Sequence, residues 1–196
     1  MKYVKEFFST FQSKYVFSTN DVKRFFTFRE ANKDYYKIFL YNLQKGEKIN
    51  RIRYGYYSSY SDIMLTGFSY YPSYYGLESA LSTLKLWEQE TNPVILTPLH
   101  VRTGLMQFNG RNYTVRKMSR EMFFGYRYVR YFNFYIPVSD LEKTLVDFVY
   151  YNEKIPPELF NELKAKANKK ILKTYISRIT ENRIRNKILK SLKLEL

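Results

Sequence analysis

Two groups of residues in this chain have types and spacing suited to chemistry: a basic and aromatic series, Lys23, Arg24, Asn32, Lys33, Tyr36, Lys37, Arg51 and Arg53, and an acidic trio, Asp140, Glu142 and Asp147, beside Lys143. The first suits recognition of double-stranded DNA. Asparagine pairs bidentately with adenine, so Asn32 with Lys33, Tyr36 and Lys37 is expected at base edges. Lys23, Arg24, Arg51 and Arg53 are expected on phosphates, where they set register without reading sequence. The second group is the set a metal-dependent nuclease uses to hold a divalent cation. Its spacing points to a structural role instead. Ser139 and Glu142 stand as a capping box does, three apart before an apolar run, and Asp140 suits the positive start of a helix. His100, the only histidine, follows a buried-looking strand and reads as packed or hydrogen-bonded. No cysteine occurs, which removes disulfides, thiolate metal sites and cysteine nucleophiles. Gly-rich phosphate loops, Gly-x-Ser-x-Gly elbows and His/Cys metal spacings are absent from the sequence. Binding rather than turnover is therefore expected, with no catalytic residue, metal or cofactor.

The elements that must carry the first group span Phe17 to Tyr57. Ser18 or Thr19 caps a short helix whose apolar face is Val22, Phe25 and Phe26. After the turn FREAN, the run KDYYKIFLYNLQKG predicts a second helix with Tyr35, Ile38, Phe39 and Leu43 on its inner side and Gly46 in a left-handed terminating position. KINRIRYGYYSS then reads as a basic hairpin turning at Gly55. Helix, turn, helix and hairpin make a winged helix-turn-helix, with the second helix as the reader of the major groove.

The segment 58–69 shifts to Ser, Tyr and Asp and reads as a linker or short strand. LESALSTLKLWE predicts a helix presenting Leu77, Ala80, Leu81 and Leu84, Pro93 closes the loop after it, and VILTPL reads as a buried strand. Asn109-Gly110 predicts a tight type I′ hairpin. The run from Met122 to Pro137 is extended, and a helix carrying Leu141, Leu145, Phe148 and Val149 follows. From Pro156 the pattern is helical, with stripes of Leu159 and Leu163, then Ile171, Leu172, Tyr175, Ile176 and Ile179, then Ile184, Ile188, Leu189 and Leu192, expected to dock on the middle of the chain. The fold class is thus α+β: a winged helix-turn-helix over 1–60, a mixed α+β domain over 61–152 and a basic helical region over 153–196.

The formal net charge of +15 is divided as +7 over 1–57, +1 over 58–150 and +7 over 151–196. Two basic ends on a neutral centre suggest two surfaces facing polyanions or acidic partners. In the last region Lys169, Lys173, Arg178, Arg183 and Arg185 are candidates for partner binding. The 21 tyrosines are expected mostly in packing positions, base stacking on single strands being the alternative. No run of about 20 apolar residues is present, so a cytoplasmic protein without a membrane partner is expected.

Two segments resemble the AbiEi-like antitoxins, autorepressors of type IV toxin–antitoxin loci. FSTNDVKRFF with YYKIFLYNLQKGEKINRIRYGYY is similar to the family's winged helix, in which a helix ending in Lys-Gly, here Lys45-Gly46, precedes a basic strand and a Gly-Tyr pair, here Gly55-Tyr56. SYYGLESAL and IPVSDLEKTLVDFVYY resemble the entry to the family's first middle-domain helix and its later Glu-Lys-x-x-x-x-Asp helix, here Glu142, Lys143 and Asp147. The resemblance implies repression of the protein's own operon; for a repressor of this motif two copies on an inverted repeat, a homodimer on DNA, are expected. It also implies neutralisation of a nucleotidyltransferase-like toxin through the C-terminal part. An orphan winged-helix regulator whose later domain senses a ligand or partner is the alternative.

Overall fold

The computed structural model describes residues 2–32 and 34–194, and its contacts divide the chain into two units, Met1–Tyr70 with Gln107–Arg111 and Tyr71–Met106 with Asn112–Leu196. The chain is mixed α+β.

The first unit runs through α1 (Val4–Thr10), β1 (Phe17–Ser18), α2 (Thr19–Thr27), α3 (Tyr35–Lys45), β2 (Asn50–Arg53) and β3 (Tyr56–Ser58). The three strands form an antiparallel sheet in the order β1-β3-β2, with Phe17 opposite Tyr57 and Arg51 opposite Tyr57 on the other side. Its interior is aromatic. Phe7 of α1 is fully buried and its ring meets Phe11, Phe17, Phe25 and Phe39 at centroid distances of 4.6, 5.3, 5.5 and 5.1 Å, mostly edge to face, the arrangement that ring quadrupoles favour. Segment 58–69 is no linker: from Ile63 to Tyr70 it forms a 3-10 helix that buries Ile63, Met64, Leu65 and Tyr70. Ser and Tyr signalled a polar connection, but the apolar Ile-Met-Leu triplet draws it inside.

The second unit contains β4 (Tyr74–Tyr75), α4 (Leu77–Thr83), β5 (Val94–Thr97), β6 (Gly104–Phe108) and β7 (Arg111–Lys117) apart from their connecting tip Gln107–Arg111, then β8 (Tyr126–Tyr131), β9 (Phe134–Ser139) and α5 (Leu141–Tyr151). It ends in α6 (Pro157–Lys166), α7 (Lys169–Ser177) and α8 (Asn182–Leu192). The sheet order is β6-β7-β5-β4-β9-β8, with parallel pairing of β5 to β7 and of β4 to β9 and antiparallel pairing elsewhere where the register is defined. Asn109 and Gly110, with φ of 48° and 75°, make the expected turn between β6 and β7. The run expected to be extended to Pro137 is a hairpin instead, turned at Phe132 (φ 49°), and Pro137 pairs with Tyr128 inside β9. The helix expected through Glu88 stops at Thr83 because Lys85 enters the left-handed region.

α4 and α5 contact the sheet at β9, while α6, α7 and α8 all contact α5. Leu163, Leu172, Ile176, Ile179, Ile188 and Leu192 join Leu77, Leu81, Leu145 and Val146 in one core, with Leu159, Ile184 and Leu189 partly buried against it, whereas Ile171, expected in the stripe, is exposed. α5 is buried nearly all round, which makes it a core helix rather than a surface one. The capping box drawn from Ser139 and Glu142 is corrected. Asp140 is the N-cap, accepting from Lys143 N at 2.8 Å, because Ser139 still belongs to β9 and its hydroxyl bonds Thr144 Oγ1 at 2.7 Å.

Candidate nucleic-acid interface

α2 starts where Ser18 Oγ accepts from Asp21 N (3.1 Å) and Asp21 Oδ2 accepts from Ser18 N (2.8 Å), a reciprocal capping box. Burial opposes the charge on Asp21, yet hydrogen bonds from Ser18 and from Lys14 outweigh it and hold the carboxyl below its ordinary range. With Val22, Phe25 and Phe26 fixed inside, Lys23 and Arg24 are exposed. Lys23 Nζ sits 5.0 Å from the Tyr36 ring, a cation–π pair linking α2 to α3. A cleft of about 230 Å³ lies there, lined in part by Lys23, Asn32, Asp34 and Tyr36.

Several expectations for α3 change. Asn32 lies before the helix, where its Oδ1 accepts from Asp34 N at 3.0 Å, an Asx turn that takes it off the helical face. Lys33 lies outside the described residues. Lys37 Nζ pairs with Asp34 Oδ1 at 2.8 Å, and that hydrogen bond with its attendant charge attraction raises the lysine above its usual range. Gly46 has φ −88°, and Glu47 takes the left-handed position at φ 52°. Phe39, Leu40 and Leu43 form the inner face; Ile38, expected inside, is 60% exposed. One turn on, Tyr41 is 63% exposed, so the outer stripe of α3 is Lys37, Ile38, Tyr41, Asn42 and Lys45. The signal for this was present in the spacing: at 100° per residue Phe39 and Leu43 fix an inner arc that excludes position 38 and admits 40.

The hairpin separates its two arginines. Arg51 is exposed, its guanidinium 5.4 Å from the Tyr54 ring, and Tyr54 itself is 85% exposed at the turn. Arg53 is corrected from phosphate ligand to structural clamp. Its Nε and Nη2 donate to Ser69 O at 2.9 and 2.5 Å, and its plane lies 4.1 and 4.8 Å from the rings of Tyr56 and Tyr70. Lys23, Arg24, Lys37, Lys45 and Arg51 remain as the exposed cations of α2, α3 and β2.

In the second unit the acidic trio does not converge. Asp140 caps α5 and accepts from the Tyr175 hydroxyl; burial raises its carboxyl against that hydrogen bond. Glu142 Oε1 accepts from Asn168 N at 2.7 Å, and Asn168 in turn caps α7. Asp147 is fully buried, paired with the equally buried Lys143 and accepting from the Tyr74 hydroxyl at 2.9 Å. Burial pushes the lysine down and the aspartate up, and their pairing opposes both shifts. Among the described residues no group of three His, Cys, Asp or Glu side chains could hold a metal ion. His100 is exposed and hydrogen-bonded to Lys117 Nζ at 3.1 Å rather than packed.

The C-terminal cations spread over two helices. Lys169 and Lys173 are exposed on α7, and Arg178 at its end lies 5.8 Å from the Phe124 ring. Arg183 joins Lys117 and Lys187 around a cleft of about 610 Å³ that also includes Glu181, whereas Arg185 is half-buried and donates to Asn182 Oδ1 at 2.6 Å.

No protein-family model matches this sequence, and no curated protein matches it significantly. Among the described residues no helix is long and apolar enough to cross a membrane.

Proposed function

We propose that the N-terminal unit is a winged helix-turn-helix that binds double-stranded DNA, and that the protein is a transcriptional autorepressor and antitoxin of a type IV toxin–antitoxin locus. One observation carries the DNA reading: exposed cations of α2, α3 and β2 accompany a solvent-facing helix in the order helix, helix, hairpin. In this reading α3 lies in the major groove, Lys23 and Arg24 meet the phosphate backbone from α2, and Arg51 meets it from the hairpin. Arg53 contributes indirectly by holding the hairpin to the 3-10 helix. Two copies on an inverted repeat suit the motif, with half-sites about 34–36 Å apart. The antitoxin part rests on the resemblance of the sequence motifs. It assigns the exposed cations of α7 and α8, Lys169, Lys173 and Arg183 foremost, to an acidic face of a nucleotidyltransferase-like toxin in the cytoplasm.

Binding of the full chain to DNA upstream of its own gene, against random duplex of equal length across a salt series, tests the first part. Sequence preference is expected, with a slope of log affinity on log salt that falls by about 0.9 for each phosphate contact removed in Lys23→Ala or Arg24→Ala. Equal affinity for both duplexes at moderate salt would sink the reading. Co-expression with a neighbouring nucleotidyltransferase gene tests the second part: growth rescue that Lys169→Glu/Lys173→Glu abolishes is expected, and no rescue by the wild-type chain would refute it.

A further inference from the structure

The outer stripe of α3 is an unusual surface for a unit this basic. Its centre is Ile38 and Tyr41, each more than half exposed, and Lys37, Asn42 and Lys45 frame them. Large apolar groups left in water on a short helix call for an occupant, and the surrounding charge says which kind. Five exposed cations stand on α2, α3 and β2, and Asp34, the acidic group at the start of α3, is paired with Lys37. A polyanion complements that frame better than a neutral apolar partner.

We infer that α3 reads thymine methyl groups, with Ile38 and Tyr41 packing on the C5-methyls in the major groove and Asn42 pairing with a neighbouring adenine, so that the recognised sequence is rich in A·T pairs. This inference rests on the DNA-binding reading above. The chemistry is direct: in the major groove thymine alone presents a methyl group, and asparagine matches adenine N6 and N7 bidentately. Ile38 and Asn42 are four apart and Tyr41 lies between them, so one helical face presents all three to adjacent base pairs. Lys45 flanks this face as an exposed cation, while Lys37 at its other end is held by Asp34. Specificity thus comes from the apolar centre of the stripe, and Asn32, held in its Asx turn, has no part in it.

The experiment is selection from a random duplex pool with the full chain, followed by affinity measurement on the enriched site made with thymine or with uracil, which lacks only the methyl. The wild type is expected to lose about fourfold per methyl covered. Ile38→Ala and Tyr41→Ala are expected to bind more weakly and to lose the thymine–uracil difference, while their melting temperatures stay near wild type because both side chains are exposed. Asn42→Ala is expected to lose about tenfold at one adenine. An enriched site bound equally with thymine and uracil would overturn this inference and leave the DNA reading intact. Failure to enrich any site would remove the DNA reading itself. A third result, unchanged DNA binding by Ile38→Ser/Tyr41→Ser with a dimer-to-monomer shift in sedimentation, would also overturn it and assign the stripe to a second copy of this chain.

Discussion

The first unit fills its interior with phenylalanine rings around Phe7, whereas the second encloses the Lys143–Asp147 pair and the Tyr74 hydroxyl within an aliphatic core. Among the described residues the buried charged side chains, Glu142, Lys143 and Asp147, all belong to α5. The difference shows how residues of similar chemistry are assigned to opposite tasks. An interior of rings asks nothing of the charged residues, so the cations of α2, α3 and β2 stay in water, apart from the half-buried Arg53. In the second unit, the residues that look most like catalytic machinery are consumed in positioning α5. Ring packing is non-directional apart from the quadrupole preference, so its strength lies in area. The α5 network is directional, and removing one member leaves the others uncompensated.

Breaking that network should give the largest effect. Lys143→Met strands the Asp147 carboxylate and is expected to cost about 3–5 kcal/mol in urea unfolding followed by Trp87, the only tryptophan, which packs on that core. Lys143→Met/Asp147→Leu should recover to within about 2 kcal/mol of wild type, the Tyr74 hydroxyl then lacking its acceptor. A double variant as unstable as the single would show that the charge was not the issue. Phe7→Ala is expected to cost about 3–4 kcal/mol, read by amide exchange in the first unit, and no second substitution of a polar residue should rescue it. That asymmetry in rescue is the sharpest form of the comparison.

Smaller effects test the backbone on either side. Gly125 has φ 68°, and a Cβ there would lie 2.8 Å from Lys143 Cβ and 3.0 Å from the Tyr175 ring, so Gly125→Ala is expected to cost about 2–3 kcal/mol. A cost under about 1 kcal/mol would mean that the network side of the core yields easily. In the first unit Ser18→Ala removes one half of the capping box and should cost about 1 kcal/mol. The Asp21 carboxyl is held below its ordinary value of 3.8, so its contribution is full above that pH and is lost as pH falls through the lower, folded value. Asp21→Asn should therefore flatten the acid-side loss of stability of the first unit; an unchanged acid profile would contradict the assignment.

Legibility followed the range of the interactions. The Ser18 cap, the Asn109-Gly110 turn and the buried strand at Val94–Thr97 were readable because neighbours in sequence create them. Helix faces were readable in outline, and the misplacement of Ile38 came from crowding of apolar residues at 38–40, where three candidates compete for one inner arc. Of the acidic trio, only the place of Asp140 at a helix start was legible, and the partners of Glu142 and Asp147 were invisible. Of the candidate DNA-facing residues, Lys23 and Arg24 are exposed where spacing put them; Asn32 was claimed by an Asx turn that Asn-x-Asp could have signalled, and Arg53 by a contact that no spacing announces.

By itself the sequence determined the α+β composition, the Ser18 cap, the Asn109-Gly110 turn and the basic ends of the chain, because propensity, capping and charge act over a few residues and need no distant partner. Only the tertiary structure decided that Arg53 would donate to Ser69, 16 residues on, and that Tyr74 would donate to Asp147, 73 residues on. It also decided that β5 would pair with β7 in parallel. Such partners meet only when the chain has closed long loops, at an entropy that burial of the whole core must offset, and no local pattern records which donor will find which acceptor.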